Sequence, residues 1–166
     1  MSIRHAKQYR DTTVHWSKSQ GLIISLLEKY GITESQFTNI GWQTAKDAGL
    51  EMEKDTMAIM LYFVKRIQMQ GGVSGTLPVR VIIPSVPLKE KYRNQAYRIF
   101  WWYLKTKFEA IETGLVEFEQ EFMPHISIGE NGPTGNMWQA FKQKLLPGIM
   151  SGKGADIGLL GSGNNP

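Results

Sequence analysis

Residues 89–113, KEKYRNQAYRIFWWYLKTKFEAIET, hold the longest uninterrupted helical pattern in the chain. Apolar side chains recur there every three or four residues, which is the repeat of one face of an α-helix. The stripe consists of Ala96, Ile99, Phe100, Tyr103, Leu104, Phe108 and Ile111. Gly114 follows, and glycine commonly ends helices. The pattern predicts a long central helix whose stripe packs against the rest of the fold.

A predicted β-hairpin precedes this helix. Residues 56–68 are apolar at both alternating sets of positions, which is typical of a strand covered on both faces, although a buried helix also fits such a run. The glycines of residues 71–75 suit a hairpin connection and favour the strand. Apolar and polar residues then alternate through Val79, Arg80, Val81 and Ile83. We expect Pro84 and Pro87 to stop this second strand, because proline donates no ladder hydrogen bond.

Shorter elements are predicted on the N-terminal side. Residues 9–14 include a β-branched run that favours a strand. Residues 17–20 match a helix capping box, and apolar residues at helical spacing then lead to Gly31 as the C-terminal cap. A further strand is expected over 35–42, followed by a loop over 47–55.

The C-terminal part predicts shorter helices and one short strand. Residues 115–122 carry a second apolar helical stripe, and residues 126–128 alternate like a strand. Thr134 is suited to cap a last helix that runs to about Leu146, with Pro147 beyond it.

This order of elements is not the regular strand–helix alternation of a parallel sheet. We therefore predict a single α+β domain over residues 1–150, with a mainly antiparallel sheet packed by the long central helix and shorter helices. The Gly-rich residues 151–166 are expected to form a flexible tail.

Composition narrows the classes of function. The chain has no cysteine, which excludes disulfides and thiolate metal sites. Phosphate-loop, dinucleotide, nucleophile-elbow and zinc-protease motifs are absent from the sequence, so we expect neither cofactor, metal nor enzyme activity. No apolar run is long enough to span a bilayer, so we expect a cytoplasmic protein without a membrane partner. The net charge of +4 and a pI near 9.3 favour an anionic partner.

The central helix interleaves cations with aromatic rings. The cations are Lys89, Lys91, Arg93, Arg98, Lys105 and Lys107, and the rings are Tyr92, Tyr97, Phe100, Trp101, Trp102 and Tyr103. Single-stranded nucleic acid needs this combination, because cations neutralise phosphates and bases stack on rings. The other interpretation is a core stripe opposite a solvated face, since any long amphipathic helix has both.

Trp102 is the residue that separates these interpretations. On a helical wheel it lies close to Lys91, Arg98 and Lys105 rather than within the apolar stripe. The candidate nucleic-acid-binding residues are Arg80, Lys91, Arg98, Trp102 and Lys105. Further cations, Arg4, Lys7 and Arg10, lie in the N-terminal arm, the segment that precedes the first predicted helix. We predict a non-catalytic protein that binds nucleic acid, in particular single-stranded DNA.

An acidic segment follows the basic one. It contains Glu109, Glu112, Glu117, Glu119 and Glu121 without an intervening Lys or Arg. Such a segment is a solvated helix face, a divalent-metal cluster or a contact with a basic partner. The last option gives the alternative function, an assembly or adaptor subunit that self-associates through basic and acidic helical faces.

His125 lies in Pro124-His125-Ile126-Ser127, which matches half of the paired His-x-Ser motif of two-histidine phosphoesterases. The second half is missing from the sequence. A structural histidine is therefore the favoured interpretation.

Two parts of the chain resemble a known family. They are YRDTTV (9–14), WSKSQ (16–20) and LLEKYG (26–31), and later WYLKTKFEAIE (102–112) and FEQEF (118–122). Together these stretches resemble small uncharacterised proteins of bacteriophages and mobile elements. The resemblance implies phage or mobile-element biology, where DNA handling and particle assembly are common, and it transfers no functional residue.

Overall fold

The computed structural model describes residues 3–68, 71–72, 74–128 and 135–151. The elements in chain order are α1 (Trp16–Lys29), β1 (Ser35–Gly41), α2 (Trp42–Asp47), β2 (Thr56–Gln68), β3 (Ser74–Pro87), α3 (Glu90–Glu112), α4 (Phe118–Phe122), α5 (Met137–Lys144) and α6 (Leu146–Met150). Single turns of 3₁₀ helix lie at Ile3–His5 and Met123–His125. The predicted α+β fold class is confirmed.

The three strands form an antiparallel sheet in the order β1-β2-β3. Ser35 pairs with Phe63 in one ladder, and Thr56 pairs with Pro87 in the other. The hairpin prediction is confirmed, and so is the strand interpretation of the apolar run 56–68. Alternation along β2 and β3 places Leu61, Phe63 and Val81 on the buried face.

The prediction that Pro84 stops the second strand was wrong. The β2–β3 register shifts between Met57 and Ile59, and β3 then continues to Pro87. Ser85 adopts a φ of 55° at this irregularity, and its Oγ accepts a hydrogen bond from the N–H of Glu53 at 2.9 Å. A β-bulge leaves one residue unpaired, so the strand tolerates a proline there.

The predicted strand over residues 9–14 was also wrong, because the segment forms turns. The Thr12 hydroxyl accepts a hydrogen bond from the N–H of Val14 at 3.2 Å, and such local bonds compete with a ladder. Helix α1 begins at Trp16, and its cap is the ring of His15 rather than the predicted capping box. Helix α2 was missed, since its six residues lie between the predicted strand and loop.

The predicted central helix is confirmed as α3, and Gly114 follows its end with a φ of 75°. The predicted short strand reduces to isolated antiparallel bridges, Val79 with Ile126 and Ser127 with Asn136. Asn136 caps α5, whereas the predicted cap, Thr134, lies outside the described residues.

The last helical region differs from the prediction. Pro147 lies within α6 instead of beyond the last helix, since proline is tolerated in a first helical turn. Of the predicted tail, residues 152–166 lie outside the described residues.

Helix α3 packs between the sheet and α1. Phe37 of β1 contacts the rings of Tyr97 and Phe100, which are both buried. Helix α1 runs parallel to α3, since the N–H of Trp16 binds the Asn94 side chain near the start and Tyr30 stacks on Phe108 near the end. We call the side of α3 that carries Lys91, Arg98 and Lys105 its outer face.

Candidate nucleic-acid interface

A line of cations follows the outer face of α3. Lys91, Arg98 and Lys105 are spaced by seven residues, which is close to two helical turns. Each therefore lies about 10.5 Å along the axis from the next and on the same side of the helix. Lys91 is exposed, whereas Arg98 and Lys105 are half-buried. The predicted alignment of these three residues is present in the fold.

Trp101 and Trp102 lie between the last two cations of this line. The Arg98 guanidinium is 4.9 Å from the ring centroid of Trp101 and 5.7 Å from that of Trp102. The Lys105 ammonium is 4.8 Å from the Trp102 ring. The two indoles meet edge to face, and Trp101 packs inward against the core. Both cations are thus held on aromatic faces, a favourable electrostatic contact.

Tyr9 covers the Trp102 ring. The two rings are parallel to within 3° and their centroids are 6.4 Å apart, at the long end of the range for offset stacking. Tyr9 has a φ of 57° and its side chain is 39% exposed. The indole Nε1 of Trp102 is buried and has no hydrogen-bond partner among the described residues. Trp102 is therefore partly covered by the N-terminal arm.

Gln95 fastens that arm to α3. Its side-chain amide donates to the carbonyl oxygens of Ala6 at 3.0 Å and Gln8 at 2.8 Å. Gln95 is 1% exposed, so both bonds are shielded from water. The two carbonyls fix the arm immediately before Tyr9.

A cleft of about 520 Å³ opens between the arm and the second half of α3. It is lined by Ala6, Gln8, Tyr9, Ile99, Trp102, Tyr103, Thr106, Lys107 and Glu121. Lys107 closes one end with an ion pair to Glu121, at 2.6 Å between Nζ and Oε1. Tyr103, which the sequence placed in the buried stripe, is 39% exposed and lines this cleft.

His125 holds the hydroxyl of Tyr103. The distance from the Tyr103 oxygen to Nε2 is 2.7 Å, and the backbone of Arg80 also hydrogen-bonds the ring. Burial, and then the positive charge of Lys107, lower the pKa of His125 to about 4. The neutral ring has one N–H and one acceptor nitrogen. The backbone of Arg80 raises the pKa of the ring, as a carbonyl acceptor does, so we assign the ring N–H to Arg80 and infer that Nε2 accepts the hydroxyl proton of Tyr103.

Arg80 does not join the outer face of α3. Its guanidinium lies 5.8 Å from the ring centroid of Tyr62, which is its pairing partner on the sheet. Both alternate with the buried residues Leu61 and Val81 and so face away from the core side. Four of the five predicted residues share one helix face, and Arg80 is separated from them by the sheet.

Sequence reasoning missed Tyr9, Gln95 and the pairing of Tyr103 with His125. The partners are far apart along the chain, and no local period links them. The only signal was the conspicuous position of Trp102 among cations, which indicated that some element covers it. His125 is a hydrogen-bonded, half-buried side chain.

Several glutamates of the acidic segment are neutralised within the chain. Glu109 pairs with Lys105 at 3.2 Å, and Glu112 pairs with Lys29 at 3.1 Å. Hydrogen bonds from Tyr30 and then from Lys29 lower the pKa of Glu112. In the part of the chain that the structure describes, no cluster of three or more acidic or histidine side chains could hold a metal ion.

Comparisons with family models, curated proteins and solved structures give no match to this chain. The resemblance to phage and mobile-element proteins therefore stays a prediction. None of the helices within the described ranges has the length and apolar character needed to cross a membrane.

Proposed function

We propose that this protein binds single-stranded nucleic acid, without catalysis, along the outer face of α3. The observation that carries the proposal is the contact of Arg98 and Lys105 with the indole of Trp102. Cation and ring then lie within the span of one nucleotide, so a phosphate and its neighbouring base can be bound together.

The cations on this face are suited to phosphate. Lys91 and Arg98 form no ion pair with any residue that the structure describes, and Lys105 pairs only with the exposed Glu109. An ion pair between neighbouring turns on a helix surface contributes little stability, so a phosphate can replace the glutamate at low cost. The arm adds Lys7 and Arg10, which are both exposed beside Tyr9. The outer face of α3 thus carries three cations in line, and the arm that covers Trp102 adds two more.

The test is fluorescence anisotropy of a labelled single-stranded oligonucleotide of mixed sequence, titrated with protein at several salt concentrations. We expect binding at micromolar protein. The logarithm of the association constant should fall linearly with the logarithm of the salt concentration, because the protein's cations displace counterions from the phosphates. The double variant Arg98→Gln/Lys105→Gln should make this slope shallower by about 1.4, at about 0.7 per phosphate contact on a single strand.

The matched control is Lys142→Gln/Lys144→Gln on α5. It removes the same charge, and Lys142 likewise lies over an indole, that of Trp138, at 5.8 Å. Equal weakening by both double variants would mean that net charge alone attracts the oligonucleotide. Absence of salt-sensitive binding at micromolar protein would overturn the proposal.

The alternative predicted from the sequence, an assembly subunit, gives different results when the same purified protein is tested. It requires a salt-sensitive oligomer on size exclusion, with no affinity for oligonucleotides. The geometry gives it less support, since Glu121 is held in a largely shielded ion pair with Lys107.

A further inference from the structure

The cleft beside Trp102 has the features of a site for one flat ring. Its aromatic wall is the parallel pair of Tyr9 and Trp102, and Ile99 adds an apolar surface. A second cleft of about 480 Å³ shares Ala6, Gln8 and Ile99 with it and extends the apolar surface towards β3. Apolar walls with a few fixed polar groups are typical of small-ligand sites.

One polar group fixed in this cleft, apart from the ion pair of Lys107 with Glu121, is the hydroxyl of Tyr103. With the ring N–H of His125 assigned to Arg80, the hydroxyl donates its proton to Nε2 across 2.7 Å, and the oxygen keeps only acceptor capacity towards the cleft. A ligand that presents an N–H group can satisfy that oxygen, whereas a carbonyl edge would place two acceptors against each other. The Tyr103 oxygen therefore favours the donor edge of a heterocycle.

The position of the cleft indicates what carries that heterocycle. Trp102 forms part of the wall and also receives Arg98 and Lys105, so the cleft continues into the cationic line on α3. A ligand with phosphate on one side and a flat ring on the other fits both. This charge complementarity favours a nucleotide of a strand over an uncharged aromatic ligand.

Tyr9 provides an independent observation at the same place. A left-handed φ at a residue with a side chain costs about 1–2 kcal/mol, and strain of this kind concentrates at ligand clamps and switch regions. Among the described residues three non-glycines have a positive φ, namely Tyr9, Asp55 and Ser85, and Tyr9 is the one whose ring covers Trp102. The strained backbone of Tyr9 therefore lies at the aromatic wall of the cleft.

We propose that this cleft binds one nucleobase that bears an exocyclic amino group, with its ring against Tyr9 and Trp102 and its amino group donating to the Tyr103 hydroxyl. The inference rests on the proposed function, since the base belongs to the bound strand. Cytosine donates its amino group from the ring position at which uracil presents a carbonyl, so a base held with this position against the Tyr103 oxygen is cytosine rather than uracil.

The experiment compares oligo-deoxycytidine with oligo-deoxyuridine of equal length, because the two strands differ only at the donor and acceptor edge. Loss of one hydrogen bond should make oligo-deoxyuridine bind about tenfold more weakly. Tyr103→Phe should lower the affinity for oligo-deoxycytidine to the oligo-deoxyuridine level and leave the latter unchanged. The matched control is Tyr62→Phe, which removes a hydroxyl from the other face of the sheet.

Failure of the inference differs from failure of the proposed function. Salt-sensitive binding with equal affinity for both strands, or an equal effect of Tyr103→Phe on both, overturns the base site and keeps the interface. If neither strand binds, free deoxycytidine and deoxyuridine at millimolar concentration are compared by NMR shifts of the Tyr103 and Trp102 rings. Shifts with deoxycytidine alone support the base site, and their absence overturns it.

Discussion

The ring of Tyr9 lies parallel to the ring of Trp102, with 3° between their planes and 6.4 Å between their centroids. Tyr9 reaches this position with a φ of 57°, although no glycine provides the conformational freedom. Shortly before Tyr9, the backbone carbonyls of Ala6 and Gln8 accept hydrogen bonds from the buried side-chain amide of Gln95. The cover on Trp102 is therefore a fixed part of the fold, and it can be tested residue by residue.

Two substitutions at Tyr9 separate backbone strain from ring contact. Tyr9→Ala removes the ring and keeps the strain, whereas Tyr9→Gly removes both, because glycine adopts positive φ freely. We expect the glycine variant to be more stable than the alanine variant by about 1 kcal/mol, measured by urea unfolding. A more stable alanine variant would contradict a strained Tyr9.

Gln95→Met should release the arm. Methionine has a similar volume but cannot donate to the two carbonyls, so we expect a loss of about 1–3 kcal/mol in the free energy of unfolding. Trypsin should also cleave faster after Lys7 and Arg10. The control Gln43→Met removes one exposed bond to Asp47 and should change neither readout. Unchanged cleavage in the Gln95 variant would show that other contacts hold the arm.

Acid should destabilise the protein through His125. Burial and Lys107 lower its folded pKa to about 4, below the ordinary value of 6.5. Between these pH values the unfolded chain binds the proton more strongly, so stability falls as pH drops from about 6.5 to about 4. The slope should stay below the roughly 1.4 kcal/mol per pH unit of one whole proton.

The variant His125→Gln provides the check on this pH dependence. It has no titrating ring, so its stability should vary less than that of the wild type between the same two pH values, as measured by urea unfolding. Identical pH profiles would assign the acid sensitivity to other groups, such as Glu112, whose folded pKa is also lowered.

Gly21 and Gly114 should respond to alanine in opposite directions. A Cβ at either position meets no atom within 4 Å, so packing is not at issue. Gly21 is exposed inside α1, where alanine should stabilise by about 0.5–1 kcal/mol. Gly114 has a φ of 75° after α3, and alanine should cost about 1 kcal/mol there. If thermal unfolding showed that both alanine variants are stabilised, or that both are destabilised, the argument from backbone conformation would be refuted.

The elements that the sequence predicted best are those with strong periodicity. Helix α3 and strand β2 were placed within a residue or so, because their side chains repeat at 3.6 and 2 residues over long stretches. The errors fall where short-range signals compete. Pro84 does not stop β3, since a bulge at Ser85 accommodates the irregularity, and residues 9–14 form turns despite their β-branched run.

Within the candidate site, too, the residues on the long helix were predictable from the sequence and the residue on the sheet was not. The alignment of Lys91, Arg98 and Lys105 follows from helical spacing alone and was predicted correctly. Arg80 could not be placed, because whether a hairpin residue faces the helices or the opposite side depends on strand register. The structure puts it on the opposite side, over Tyr62.

The sequence by itself determined a helix with cations and rings on one face, an antiparallel hairpin, and a tryptophan outside the apolar stripe. These features depend on residues a few positions apart, whose relative directions the backbone fixes. Only the tertiary structure decided what lies against Trp102. Tyr9 reaches it through an arm fixed by Gln95, and His125 reaches Tyr103 from beyond α4, so both contacts depend on how distant segments pack.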